Sequence, residues 1–417
     1  MKQDFRNRIG MSTINLCIIA PEFLPIWGGT GSYVVELLKN LPKEVEIHVV
    51  TLKRKIPGMP ENSSMEDDLK YVFNRDIDIH YISYAKETFF YNLGFQIACF
   101  RRIPKLHKEY KFDVLHSQFG HMSDVLLQLL KKVRIPTVTT VHGTIALLKE
   151  VSSMYSANFS DLEWSEKQVR ILYPVLRTLE LLYAKHISKF IAVCNAAKKR
   201  IIMDLKVESE KICTVYNGVD TELFCIPRKN EAERKYSKPT VVYMGRMMSK
   251  KGIVVLIKAM PEVLRVFPEA RFLFVGGGNV SFYKEIIGKM GIPKKNFSFV
   301  GHVGYFERPK ILREATVFVN PSFFENCSIS ILEAMSCGSA VVASDVGGNP
   351  EIIESGKNGL LVPVFDNKKL AESVISLLED GNFNKEIGRE ARRTVEKRFS
   401  SIKTAKETCK IYKQLLG

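Results

Sequence analysis

Residues 318–353 read FVNPSFFENCSISILEAMSCGSAVVASDVGGNPEII and hold two glutamates, Glu325 and Glu333, eight positions apart. Val317, Phe318 and Val319 predict the end of a buried strand, stopped by Asn320-Pro321. Residues 328–335 predict a helix, with Asn326 or Ser328 as its N-cap and Gly338 as its stop. Residues 340–344 (AVVAS) predict a second buried strand, ending at Asp345 and a Gly347-Gly348 turn. Strand, polar turn, helix and strand make one βαβ unit.

The first N–H groups of a helix have no partner within it, and the helix dipole favours an anion beside them. Here those groups lie near Cys327, Ser328 and Ile329, which makes the turn a candidate phosphate site. An ionised carboxylate only accepts hydrogen bonds, so Glu333, one turn into the helix, suits the two adjacent hydroxyls of a sugar cis-diol. Glu325, before the helix, is placed to hold a second hydroxylated group on the other side of the phosphates. Two surface glutamates around a structural helix are the alternative reading of the pair taken alone.

The stretch resembles the C-terminal signature of the retaining GT-B glycosyltransferases, glycosyltransferase family 4 (glycosyl transferases group 1). The resemblance rests on Pro321-Ser322, Glu325, Glu333-Ala334-Met335, Gly338, the strand from Val341 to Ser344, Gly347-Gly348 and Glu351-Ile352. It implies that Glu325 contacts the donor sugar and Glu333 the nucleotide ribose. One departure is that Asn326-Cys327 stands where the family often has Phe-Gly after the first glutamate, which bears on the donor sugar rather than on the nucleotide.

At 417 residues the chain suits two domains of about 150–200 residues each. With 46% hydrophobic and 25% charged residues it has the composition of a soluble globular protein. No apolar run reaches about 18 residues, so no transmembrane helix is expected. Residues 14–20 read better as a first strand than as a signal peptide, because Pro21-Glu22 follows where small residues would mark a cleavage site. The eight cysteines are scattered without Cys-x-x-Cys or paired histidine spacing, which argues against zinc or a disulfide framework and for a reducing cytoplasm. The net charge of +16 is spread, with an excess of seven cations in residues 1–216 and nine in 217–417, so it is not a basic tail. No nucleic-acid motif accompanies it, and anionic lipid or phosphate-bearing substrates account for the basicity.

Read in order, the chain opens with a polar leader and the strand 14–20. A loop containing Gly28-Gly29-Thr30-Gly31 follows, and then a helix from residue 33 to 41. Gly-Gly-x-Gly lacks the spacing of a dinucleotide fingerprint; alone it reads equally as a tight turn or as a place where backbone approaches a ligand. The family resemblance places the backbone of Gly29 against the donor phosphates. Strands are expected at 46–51 and 77–82. The aromatic and basic segment 89–112 is the candidate peripheral contact with an anionic membrane, on the inner face. The other reading is a core helix with a solvated basic face, and the interruption at Pro104 favours it. Strands at 112–117 and 136–142 flank an expected helix at 123–132. His142 ends the second of these strands, where ligands collect in open parallel sheets. The alternative is a structural histidine, but the resemblance assigns His142 to the donor sugar. His116 and His121 are candidates for lining the acceptor side.

Residues 150–186 are expected to be mostly helical, with a strand at 188–193. Asn217-Gly218 marks a turn and the expected domain boundary. The second domain opens with a strand at 240–244, the loop Gly245-Arg246 to Lys251-Gly252 and a helix at 254–267. This loop matches a Gly-Arg and Lys-Gly pattern of the family. Arg246 can fork onto two phosphate oxygens and Lys251 adds a point charge. A strand at 271–275 ends in Gly276-Gly277-Gly278, glycines read as letting backbone pass close to the ligand, and a further strand is expected within 296–303.

The expected fold is α/β: GT-B, two Rossmann-like domains facing each other across a cleft. Residues 1–217 form the acceptor-binding domain and 218–399 the nucleotide-sugar domain, with a C-terminal helix in 400–417 returning to the first. The implied reaction moves a sugar from a nucleoside diphosphate sugar, UDP-sugar ahead of GDP-mannose, to a hydroxyl of a glycan, lipid-linked or small-molecule acceptor. No metal ion and no cofactor beside the donor are implied. The catalytic set would be His142, Glu325, Arg246 and Lys251. Three rivals are a glycoside hydrolase using the two glutamates, an NAD-dependent dehydrogenase, and a non-catalytic nucleotide-sugar-binding protein. The cations Arg246 and Lys251 argue against the first, the missing fingerprint against the second, and the full residue set against the third.

Overall fold

The structure, a computed structural model, describes residues 13–23, 28–54, 72–73, 75–85, 93–130, 132–155, 164–226 and 238–417. They divide into two compact units. The first takes the described residues up to Leu148, Gln168–Val215 and Ile402–Gly417; the second takes those of Lys149–Lys167 and Tyr216–Ser401.

The first unit is built on β1 (Ile14–Ile19), β2 (Val45–Arg54), β3 (Asp78–Ala85), β4 (Val114–Gln118), β5 (Thr137–Val141), β6 (Lys189–Ala192) and β7 (Ile212–Thr214). They pair in parallel in the order β3-β2-β1-β4-β5-β6-β7. The sequence of β1, INLCII, is apolar at every position but one, as a strand covered on both faces requires, and all but Asn15 are buried. The helices of this stretch are α1 (Gly29–Asn40), α2 (Leu93–Tyr110), α3 (Val125–Leu129), α4 (Ile145–Tyr155), α5 (Trp164–Ala184) and α6 (Asn195–Leu205).

The second unit contains β8 (Thr240–Met244), α7 (Ile253–Val266), β9 (Arg271–Val275), α8 (Val280–Lys289), β10 (Phe297–Gly301), α9 (Arg308–Glu314), β11 (Val317–Asn320), α10 (Ile329–Ser336), β12 (Ala340–Ser344), α11 (Asn349–Ile352), β13 (Leu360–Val362), α12 (Asn367–Glu379) and α13 (Gly381–Arg398). Its strands are parallel in the order β10-β9-β8-β11-β12-β13. The last helix, α14 (Ser401–Leu416), belongs to the first unit from Ile402 on.

Both sheets follow the strand order of a dinucleotide-binding fold, and the α/β class with two Rossmann-like halves is the one observed. The order reverses between β1 and β4 in one sheet and between β8 and β11 in the other, and ligands of such sheets bind beyond the carboxyl ends of those strands. The strands at 240–244, 271–275 and 340–344 have the expected bounds.

α2 is the core helix with a solvated basic face: it runs through Pro104, with Phe95, Cys99, Ile103 and Leu106 burying one continuous face and Arg101, Arg102, Lys105 and Lys108 exposed. That burial offsets the single backbone hydrogen bond the proline removes. α3 has five residues where ten were expected. The Asp124 carboxylate, which precedes it, is engaged in the core by the Tyr183 hydroxyl and by Gln128 Nε2 at 3.0 Å. Burial raises the Asp124 pKa. Among the described residues no helix is long and apolar enough to cross a membrane.

Candidate active site

The loops leaving β8 and β11 carry three of the expected site residues, Arg246, Lys251 and Glu325. Lys251 Nζ lies 2.5 Å from Glu325 Oε1, and the Ser322 hydroxyl donates to the same oxygen at 2.8 Å. Two residues given separate duties on the sequence, phosphate for Lys251 and sugar for Glu325, are therefore in contact with each other. Arg246 is exposed, and its carbonyl accepts a 2.9 Å hydrogen bond from the buried Tyr243 hydroxyl.

Glycines set the path of these loops. Gly252 has φ +64°, and a Cβ there would stand 1.9 Å from the Pro321 carbonyl oxygen. This close approach lets the Phe323 N–H donate to the Lys250 carbonyl at 2.9 Å and ties the two loops together. Gly347 has φ +53°, and a Cβ there would fall 1.8 Å from the Glu325 carbonyl oxygen, which also accepts from the Gly348 N–H at 3.0 Å. The Gly347-Gly348 turn is thus the backbone seat of Glu325. The close neighbour of Gly276 is likewise protein: its Cβ would meet the Gly245 carbonyl oxygen at 2.0 Å, and the Met247 N–H donates to the Gly277 carbonyl at 2.7 Å. In this structure the run Gly276 to Gly278 seats the Arg246 loop, a role the sequence reading assigned to ligand approach.

α10 begins as expected, with Ser328 at its N-cap, but the Ser328 side chain makes no capping bond. Its Oγ lies 3.3 Å from Asn320 Nδ2 and 3.2 Å from Ser330 Oγ, so the N-cap side chain is turned away from the helix end, where an anion would be favoured. The preceding turn is held by Asn217 Nδ2, which donates to the Cys327 carbonyl at 2.8 Å. Cys327, Ser328 and Ile329 are all buried. Within the same helix Glu333 is 2% exposed and pairs with Arg308, Nη1 to Oε1 at 3.0 Å. Burial raises the Glu333 pKa, and the Arg308 guanidinium opposes the rise.

In the first unit His142 follows β5 and is half-buried. Its Nε2 lies 3.0 Å from Gln118 Oε1 at the end of β4, and the Tyr33 ring from α1 meets it edge-on at 5.0 Å between centroids. Gln118 Nε2 is buried with no hydrogen-bond partner among the described residues. Gly29 opens α1 with open space around the position of a Cβ.

His116 does not line a surface. It is fully buried, with Nδ1 2.6 Å from the Tyr412 hydroxyl and Nε2 2.8 Å from Thr140 Oγ1, which in turn lies 3.0 Å from the Tyr33 hydroxyl. Burial, aided by His142, pushes its pKa down to about 3, so it is a neutral core histidine. The side chain of His121 lies outside what is described.

Sequence reasoning gave Arg308 no role, and it named Ser322 only within the signature and Asn217 only within a turn, without their contacts to Glu325 and Cys327. The only prior signal for Arg308 was a general one, that a buried carboxylate needs a cation, and nothing across a separation of 25 positions pointed to this one.

Comparison with known proteins identifies the family. The family model "Glycosyltransferase Family 4" matches residues 27–223, and "Glycosyl transferases group 1" matches 226–394. An uncharacterized glycosyltransferase of Methanocaldococcus jannaschii is 25% identical over 397 residues, 94% of this chain and 96% of its own. Sucrose-phosphate synthase from Thermosynechococcus elongatus is similar in fold with a TM-score of 0.76 at 19% identity, over 96% of this chain and 99% of that one. Anabaena HepE in complex with UDP-glucose gives a TM-score of 0.74 at 18% identity, over 96% and 100%. From the two family models, the shared fold and the matching loops, the chain belongs to glycosyltransferase family 4 and is a glycosyltransferase of the GT-B fold.

Proposed function

We propose that the chain transfers a sugar from a nucleoside diphosphate sugar, a UDP-sugar ahead of GDP-mannose, to a hydroxyl of a glycan, lipid-linked or small-molecule acceptor. The anomeric configuration is retained and no metal ion takes part. The observation that carries this reading is the content of the two loops at the strand-order reversal of the second sheet. After β8 stand Arg246 and Lys251; after β11 stand Glu325, a helix start whose N-cap Ser328 makes no capping bond, and the buried Glu333.

In the reaction the bond from the anomeric carbon to the diphosphate breaks, a bond to the acceptor oxygen forms, and the acceptor proton leaves with the diphosphate. Negative charge grows on the leaving group. Arg246, Lys251 and the N–H groups at Cys327, Ser328 and Ile329 are fixed donors and charges for it, which lower the barrier because they need no reorganisation as the bond breaks. Glu333 accepts from the ribose hydroxyls. His142 and Glu325 hold the donor sugar, and Gly29 gives the diphosphate a close backbone approach. That HepE was solved with UDP-glucose supports uridine as the base.

Calorimetry of UDP, GDP, ADP and NAD binding in the presence of EDTA tests this. UDP is expected to bind without metal, and Glu333→Ala to weaken it by about tenfold or more, the worth of a hydrogen bond to a charged group. Binding of NAD alone, or of UDP only after a divalent ion is restored, would refute the reading.

A further inference from the structure

α5 buries one face through Val169, Leu176, Glu180 and Tyr183, yet it carries a second apolar stripe on the other side. Ile171, Val175 and Leu182 recur at helical spacing, with Leu172 beside them, and all four are exposed, Ile171 at 63% and Val175 at 59%. α6 is tied to α5 by Arg177, which donates to the Asp204 carbonyl, and it adds exposed Ile202 and Met203, the latter at 69%. An apolar face of this kind on a folded unit marks an interaction site.

Charge identifies the partner. From residue 168 to 206 the sequence has eight lysines and arginines and two acids, Glu180 and Asp204. Both acids are buried. Glu180 pairs with Arg177 at 2.6 Å and accepts the Ile145 N–H at 2.7 Å, and Asp204 pairs with Arg200 at 2.7 Å. Lys185, Lys199 and Lys206 are exposed. Among the side chains described from residue 168 to 206, the outward face of α5 and α6 is therefore apolar with basic charge only.

We propose that the α5–α6 face docks this enzyme on an anionic lipid bilayer, Ile171, Val175, Leu182 and Met203 entering the interface while Lys185, Lys199 and Lys206 meet the headgroups. Long lysine stems keep their charge at headgroup level while apolar neighbours sink below it. A second copy of the chain fits less well, since a symmetric contact would set two basic margins against each other. α2 offers less for this purpose: its described apolar residues Phe95, Cys99, Ile103 and Leu106 are buried, and Arg101, Arg102, Lys105 and Lys108 are exposed. Phe89, Phe90 and Tyr91 lie outside the described residues.

The full-length protein sedimented with vesicles tests the proposal. It is expected to pellet with phosphatidylcholine mixed with phosphatidylglycerol, to stay in solution with phosphatidylcholine alone, and to be released by salt. The double variants Ile171→Asp/Val175→Asp and Lys199→Glu/Lys206→Glu are each expected to bind about tenfold or more weakly. Both alter exposed positions, so their melting temperatures should match the parent. Failure of the parent to pellet, or undiminished pelleting of Ile171→Asp/Val175→Asp, would overturn the proposal. So would loss of binding in Arg101→Glu/Lys105→Glu alone. A dimer that Ile171→Asp/Val175→Asp disperses, without any vesicle binding, would assign the face to a second copy and overturn it too.

Discussion

At the scale of single residues, the pairing of Glu333 with Arg308 has the clearest consequence. Burial raises the carboxyl pKa and Arg308 holds it down, so in Arg308→Met nothing opposes proton uptake. A carboxyl whose folded-state pKa exceeds its unfolded value contributes stability at low pH that is lost as pH rises through the folded value. Arg308→Met should thus melt nearest the parent at acid pH and fall progressively below it toward pH 8, with a deficit near neutrality of about 3–5 kcal/mol. An equal deficit at all pH values would show that the pair does not govern the proton. Glu333 itself was legible from its spacing to Glu325, whereas Arg308 was not, because its link to Glu333 is made only by folding. Two histidines near adjoining strand ends give the same lesson. Sequence places both at strand ends, His142 toward the donor sugar and His116 as a candidate for the acceptor side, but the side chains of Tyr412 and Thr140 bond His116 in the core while His142 stays half-buried.

At the scale of elements, the loops of the candidate site depend on glycines that seat other loops. Gly347→Ala must both hold an alanine at φ +53° and push away the Glu325 carbonyl. Gly291→Ala is the control, since Gly291 has φ +67° with nothing within 4 Å of its Cβ position. The control should lose about 1–2 kcal/mol, the cost of the left-handed conformation. Gly347→Ala should lose more and should bind UDP-sugar less well. Equal losses with unaltered binding would mean that the Glu325 loop yields at little cost. The strands were legible because continuous apolar runs between glycine, proline and asparagine leave few other readings. The length of α3 was not, since the buried contacts of Asp124 lie with Gln128 and with Tyr183, 59 residues away.

At the scale of the whole molecule, the first unit is discontinuous: it takes in Ile402–Gly417, and Tyr412 from that segment is fully buried on His116. A chain ending at Ser400 should leave the second unit resistant to protease and expose the first to cleavage, with its melting transition lowered. Equal resistance of both units would show that α14 is dispensable. Translation gives this arrangement a direction. Domains generally complete themselves in the order they leave the ribosome, N-terminal before C-terminal. Here the contiguous run from Tyr216 to Ser401 has been made before the closing helix of the first unit exists. The unit whose strands are made first is thus completed after the second, and the neutral His116 gains its tyrosine partner only once α14 has been made.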